Sequence, residues 1–253
     1  MILRLTLHTT PAIASSYLFG CGSKHAACVV DPVAEPQFYL DAASELGIRI
    51  RYVIDTHVHA DHVSTGRELA QAAGAAYVLH ESVDAAFSFE RVRDGDRLEL
   101  GNTVVDIMHL PGHTPEHISL LVTDRVRSTE PWFVMTGHTL MVGDMGRTEL
   151  ATSAEEGARA LYESSRKLRR LHDHVEVLPG AFAGSVCGRG LSGKTTSTIG
   201  FERRFNKAFA IDERQAFVEA MVRDIPPPPP NAAANRSRNL GRQEEAANVL
   251  TAP

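Results

Sequence analysis

The sequence predicts an α/β fold of two mixed sheets with helices packed on their outer sides. Three observations carry this reading. Short apolar runs come first and then alternate with amphipathic stretches at helical spacing, an order that builds layered domains. The 253 residues, 43% of them hydrophobic, supply core material for one large domain or two small ones. Each cluster of histidine and aspartate follows directly on an apolar run, and strand ends are where scaffolds carry sites.

The elements are read in chain order. "ILRLTL", "SSYLF" and "AACVVDP" are successive strands. "PQFYLDAASELG" brings Phe38, Leu40, Ala43 and Leu46 near helical spacing and stops on a glycine. "RIRYVID" is a strand that feeds a polar turn, and "TGRELAQAAGA" is a helix leaving it, with Thr65 as N-cap and Glu68 completing a capping box. "DRLELGNTVVDIMHL" reads as two strands joined by a Leu-Gly-Asn turn, followed by the strands "HISLLVTD" and "PWFVMTG". Residues 154–171 place Ala158, Leu161, Leu168 and Leu171 on one helical face, and "VEVLPG" is a further strand.

Composition excludes several classes of function. A net charge of -5 argues against nucleic acid as a partner. Cys21, Cys28 and Cys187, odd in number and unrelated in spacing, form no disulfide framework and fit a reducing compartment. No apolar run reaches the length of a membrane span, and Arg4, His8 and Pro11 interrupt the start before a signal-peptide core could form. The expected location is the cytoplasm, with a homodimer left open. After about residue 225 the composition changes: five prolines, 226–230, favour extended polyproline II, and few large apolar residues follow. Residues 1–225 are expected to form the domain, and 226–253 a semi-rigid spacer with a mobile or surface-draped tail. Removing 231–253 is expected to leave folding and metal content nearly unchanged.

The stretch "THVHADHVSTG" places His57, His59, Asp61 and His62 in one turn after a buried strand. "LPGHTPEH" adds His113 and His117, and "MTGHTLMVGDMGRTEL" adds His138, Asp144 and Arg147. A single histidine at a strand end is usually a hydrogen-bonded structural residue. Three clusters after separate strands point instead to a metal site.

These motifs resemble the metallo-β-lactamase superfamily over roughly residues 12–210. "HADH", "PGHTPE", "GDMGRTEL" and "STIGFERRFNKAF" together resemble its persulfide dioxygenase branch, the glutathione-dependent sulfur dioxygenases. The resemblance implies an αββα sandwich with a metal at one edge of its two sheets. In that branch one Fe(II) is held by the first histidine of H-x-H, the histidine of P-G-H-T and an aspartate in T-G-D.

Two departures matter. This chain reads "TGHTL", so His138 stands where the resemblance puts the carboxylate, and "PGAF", so Ala181 stands where two-zinc members have a histidine. One metal ion is therefore expected, held by His57, His113 and His138. Imidazole serves iron and zinc alike. A two-histidine, one-carboxylate face leaves Fe(II) a net charge of +1, whereas three neutral histidines leave +2, which favours an anionic sulfur substrate.

His59, Asp61 and His62 are the catalytic candidates, close enough to orient the ligands by hydrogen bonds. Arg147 is the candidate partner for a glutathione carboxylate, its alternative being a structural tie to Asp144 or Glu149. Cys187 is a candidate substrate-binding or sulfur-relay thiol at the pocket mouth. The reaction expected is oxidation of glutathione persulfide by O₂ to sulfite and glutathione. The alternatives are a Zn²⁺ thioester hydrolase of glyoxalase II type, with Asp61 as proton acceptor, and a metal-binding relative without catalysis. The identity of the third ligand, His138 or Asp144, stays open at this level.

Overall fold

The computed structural model describes residues 1–242. Its first sheet takes its strands in chain order: β1 (Ile2–His8), β2 (Ala14–Cys21), β3 (Ala26–Val30), β4 (Arg49–Ile54), β5 (Ala76–His80) and β6 (Glu90–Val92). β1, β2 and β3 pair antiparallel, and β3 to β6 run parallel. Parallel neighbours need crossovers, and helices α1 (Pro36–Glu45) and α2 (Gly66–Ala73) supply the two around β4.

The second sheet contains β7 (Arg97–Leu100), β8 (Thr103–His109), β9 (Ile118–Asp124), β10 (Phe133–Gly137), β13 (Glu176–Pro179) and β14 (Ser197–Thr198). Its spatial order is β14-β13-β10-β9-β8-β7, and only β10 and β13 pair parallel. Between β10 and β13 lie the short hairpin β11 (Leu140–Met141) and β12 (Asp144–Met145) and the crossover helix α3 (Ala154–Leu168). Helices α4 (Ile199–Phe205), α5 (Arg214–Val222) and α6 (Ala232–Asn239) follow.

Strand periodicity builds three cores from two sheets. Along β3, Ala26, Cys28 and Val30 point between the sheets while Ala27 and Val29 point toward α1 and α2. Along β10, Phe133 and Met135 join the central core and Val134 joins Leu161, Leu168 and Phe217 under α3 and α5. The layers are therefore helix, sheet, sheet, helix, as the resemblance implied.

Some local expectations change. Thr65 precedes α2, but its hydroxyl donates to the carbonyls of Pro32 and Ala34 instead of capping the helix, and Glu68 pairs with Arg67. Ser64 Oγ accepts the Gly66 N–H in its place. α3 stops at Leu168 because the Arg170 and Leu171 N–H groups bond three residues back, tightening the last turn. β5 and β6, absent from the sequence reading, extend the first sheet beyond β4.

Among the described residues no helix is long and apolar enough to cross a membrane. The segment after Asp224 lies along the body of the protein and contains α6. The remainder of the expected tail, 243–253, lies outside the described residues.

Candidate metal centre

β4 ends one residue before Asp55, and the loop that follows is held open by Asp31 at the end of β3. Asp31 accepts from the Thr56 N–H at 2.7 Å and the Thr56 hydroxyl at 2.9 Å, and faces His59 Nε2 at 3.2 Å. Because the Thr56 hydroxyl hydrogen goes to Asp31, its oxygen accepts from His57 Nδ1 at 2.9 Å. His57 is thereby fixed with its lone pair on Nε2, a buried nitrogen with no hydrogen-bond partner among the described residues.

His113 is fixed in the same sense. Its Nδ1 donates to the Arg147 carbonyl at 2.7 Å, which leaves Nε2 as the acceptor. His138 follows β10, where Gly137 (φ 49°) makes the turn; a Cβ there would lie 2.5 Å from His117 Nε2 and 2.6 Å from Thr56 Oγ1. The His138 N–H donates to His117 Nε2 at 3.1 Å, and His117 Nδ1 donates to Thr139 Oγ1 at 3.0 Å. His117 is thus a brace for the backbone at His138, the ordinary fate of a strand-end histidine.

The three expected ligands come together. Donor atoms of His57, His113 and His138 lie within 4.8 Å of one another, and all three residues are buried. His138 Nδ1 and His113 Nε2 are 3.2 Å apart, close to the roughly 3.3 Å edge of a tetrahedron of bonds about 2.0 Å long. Burial, then the neighbouring imidazoles, pushes His57 and His113 well below the usual histidine range, and burial lowers His138. His57 and His113 turn lone pairs inward, and His138 Nδ1, which donates to His113 Nε2 here, would give up that proton when a cation binds.

Beside them lies a second group, His59, Asp61 and His62, also within 4.8 Å. His59 Nδ1, Asp61 Oδ2 and His62 Nε2 are buried without partners. For His59, burial works against the charged form, but the Asp31 carboxylate 3.2 Å from Nε2 and the Asp61 carboxylate 3.8 Å from Nδ1 outweigh it and hold its pKa well above the usual range. For Asp61, burial is outweighed by His62 and His59, which hold its carboxyl well below the usual range. This ion pair braces the loop next to the three-histidine face. Ala181 is buried and brings no ligand.

Asp144 is elsewhere. Its carboxylate accepts from the N–H groups of Met145, Arg189 and Gly190 at 2.8 to 3.1 Å, tying the β11–β12 hairpin to the 185–190 loop. His138, not Asp144, faces the other two histidines.

Arg147 corrects an expectation. Its guanidinium is buried and makes four hydrogen bonds, to Glu149, to the carbonyls of Val186 and Pro227 at 3.0 Å and to the carbonyl of Pro226 at 2.6 Å, with an ion pair to Glu149 beside them. The guanidinium is engaged within the fold, and the structural tie to Glu149 is what forms. Cys187 is also displaced from expectation. It is buried beside the cluster, not at a mouth, with Sγ inside a 4.8 Å group that includes Asp61 and His138. Burial and Asp61 push its thiol well above the usual range.

Several contributors escaped the sequence reading. Asp31 and Glu116 hold the loop by the Thr56 and Val58 N–H groups. From α6, Arg236 donates to the Val58 carbonyl at 2.7 Å and Asn235 to that of Ala60 at 2.9 Å; Asn239 donates to those of His59 and His62 at 2.9 Å each. Only the strand-end position of Asp31 carried a signal. The α6 residues had none, since their partners are backbone carbonyls about 175 residues away. A cavity of about 470 Å³ opens onto Asp61 and His62.

A helix-sheet-sheet-helix sandwich with a histidine and aspartate cluster at its strand ends defines a class of metalloprotein. The chain belongs to the metallo-β-lactamase superfamily, whose family profile matches residues 9–180. It is similar to the mitochondrial persulfide dioxygenase ETHE1 of Bos taurus, 27% identical over 215 residues that cover 84% of this chain and 78% of that protein. It is similar too to the hydroxyacylglutathione hydrolase of Rippkaea orientalis, 31% identical over 172 residues, 66% of this chain and 64% of that one. The crystal structure of ETHE1 from Myxococcus xanthus superposes with a TM-score of 0.82 at 29% identity, covering 96% of this chain and all of that one.

Proposed function

We propose that the chain is a persulfide dioxygenase working with one Fe(II) held by His57, His113 and His138. The observation that carries this reading is the buried, partnerless Nε2 of His57 beside the lone pair of His113 and the ring of His138. The similarity to persulfide dioxygenases supports it. The net reaction is RSSH + O₂ + H₂O → RSH + H₂SO₃. The outer sulfur gives up four electrons, O₂ takes them, and the S–S bond breaks as the thiol leaves.

A bound ferrous ion supplies the one-electron chemistry that lets O₂ react with a sulfur anion. The chain's own residues do the rest. Three neutral imidazoles leave the full positive charge of the ion to attract a persulfide anion. Thr56 and the Arg147 carbonyl hold two of the rings in the required tautomer. Asp61, between His59 and His62, orients the rings beside the metal face. The three free, buried cysteines fit a reducing compartment such as the cytoplasm.

The second reading is a zinc thioester hydrolase, supported by the hydroxyacylglutathione hydrolase likeness and by histidine ligands that suit zinc as well as iron. Protein loaded anaerobically with iron and assayed for O₂ uptake and sulfite from a persulfide decides between them. Near-stoichiometric iron with sulfite formation is expected. Zinc retention with acylglutathione hydrolysis and no O₂ uptake would favour the hydrolase.

A further inference from the structure

We infer that the hollow beside Ser64, between the start of α2 and the end of α6, is a binding site for a small dianionic oxyanion of the phosphate and sulfate class, and that filling it tightens the metal loop. The site is separate from the three-histidine face and does not depend on which reaction that face performs. The hollow measures about 270 Å³, and among the described residues Arg67, Arg238 and Arg242 line it against one carboxylate, Glu68. Three guanidiniums gathered in one concavity run against the chain's net charge of -5 and make a local attractor for anions. The volume is several times the ~30 Å³ that one water occupies in the liquid, so an oxyanion fits.

Packing presents these cations. Arg67 lies over the Phe87 ring, its guanidinium carbon 5.0 Å from the centroid, and a stacked guanidinium keeps its N–H edge for acceptors in its own plane. Gly241 (φ 69°) lets the chain past α6 close on this pair, since a Cβ there would lie 2.7 Å from the Phe87 ring and 3.3 Å from Arg67 Nη1. Arg67 and Arg242 each meet a carboxylate through Nη2, Glu68 at 3.3 Å and Asp84 at 2.7 Å. All four side chains are about half exposed or more, and exposed pairs of this kind are weak. A dianion that engages two planar forks at once gains more than either carboxylate does. The first turn of α2, which Thr65 does not cap, adds the positive end of a helix dipole.

The link to the metal is Asn239, which lines the hollow next to Ser64. Its amide holds the Ser64 N–H and the carbonyls of His59 and His62. An anion that bridges Arg67 on α2 to Arg238 and Arg242 at the end of α6 keeps that helix against the loop. Binding to the ordered form stabilises it, and metal affinity rises with it.

The test titrates sulfate into the full iron-loaded chain by calorimetry at constant ionic strength. Saturable binding of about one ion per chain is expected, with a dissociation constant of about 1 mM or tighter. The double variant Arg67→Gln, Arg242→Gln is expected to bind about tenfold more weakly, having lost two charge-assisted contacts. Glycerol 3-phosphate separates the sources: tighter binding than sulfate assigns the site to a phosphate ester, equal or weaker binding to the free oxyanion. General salt effects act on both proteins alike. Absence of saturable binding, or equal binding by the double variant, would overturn the inference. Sulfate is also expected to slow iron transfer to a chelator by about fivefold in the unaltered chain and not in the variant. Transfer at the same rate with and without sulfate would overturn the coupling to the metal loop. Arg242→Gln alone, at a half-exposed position, carries the same comparison if the double variant folds poorly.

Discussion

His138 is the residue on which the chemistry turns. It stands at the end of β10 with its backbone pinned by His117 and its ring against His113. His138→Ala is expected to lower metal affinity by tenfold or more, the range seen for loss of groups that support a metal site. His138→Asp is expected to keep iron but weaken persulfide affinity, because a carboxylate removes one unit of positive charge from the face. Metal analysis and a chelator titration read both. Asp144→Ala gives the contrast. It orphans the N–H groups of Arg189 and Gly190, costing about 1–3 kcal/mol in a denaturant titration, with metal content retained. Full metal binding by His138→Ala together with loss in Asp144→Ala would reverse the assignment. With Ala181 bringing no ligand, elemental analysis should find about one tightly bound metal per chain.

At the scale of elements, α6 changes the expectation that residues beyond 230 are dispensable. Its polar side chains take the carbonyls of Val58, Ala60, His59 and His62, and the Ser64 N–H donates to Asn239 Oδ1 at 2.9 Å. The helix therefore closes the backbone of the metal loop, and the Pro226 and Pro227 carbonyls hold Arg147, whose own carbonyl orients His113. Truncation after Pro230 is expected to lower both the melting temperature and metal affinity. Asn239→Ala should cost about 1–3 kcal/mol, because it uncovers three backbone groups at once. Unchanged melting and metal retention in the truncated chain would restore the earlier expectation. The lack of apolar periodicity hides α6 from view: with Ala232, Ala233 and Ala234 followed by Asn, Arg and Ser, it has no large apolar face, and its partners define it.

The whole molecule responds to acid through its buried histidines. His57, His113, His117 and His138 have folded-state pKa values below the ordinary 6.5, with burial the first cause of each. The unfolded chain binds more protons below that value, so stability is fully present above it and is lost as pH falls. Each histidine that stays neutral contributes a slope of up to about 1.4 kcal/mol per pH unit. His59 has the opposite sign: its raised pKa contributes stability below 6.5 that is lost as pH rises through the folded value. Asp61, depressed below 3.8, adds a further loss below that pH. The metal-free protein should thus melt at progressively lower temperature from pH 7 to pH 5. A flat profile in that interval would show that these histidines are not neutral in the folded state.

What the sequence by itself determined was the layered fold and the strand ends that carry the histidine clusters, with the choice between His138 and Asp144 left open. Continuous apolar runs such as "AACVV" and "FVMTG" mark strands buried on both faces, and the motifs around His57, His113 and His138 end strands that the two sheets bring to one edge. An apolar run is a local property, so it is legible locally. The tertiary structure alone decided the orientation of Asp144, the engagement of Arg147 and the seating of Cys187, since a side chain's partners depend on segments far away in sequence. Arg147 could be read as a free cation until the carbonyls of Pro226 and Pro227 were brought to it across 79 and 80 residues. Only folding puts those distant backbone groups within hydrogen-bond reach, and hydrogen bonds act over about 3 Å.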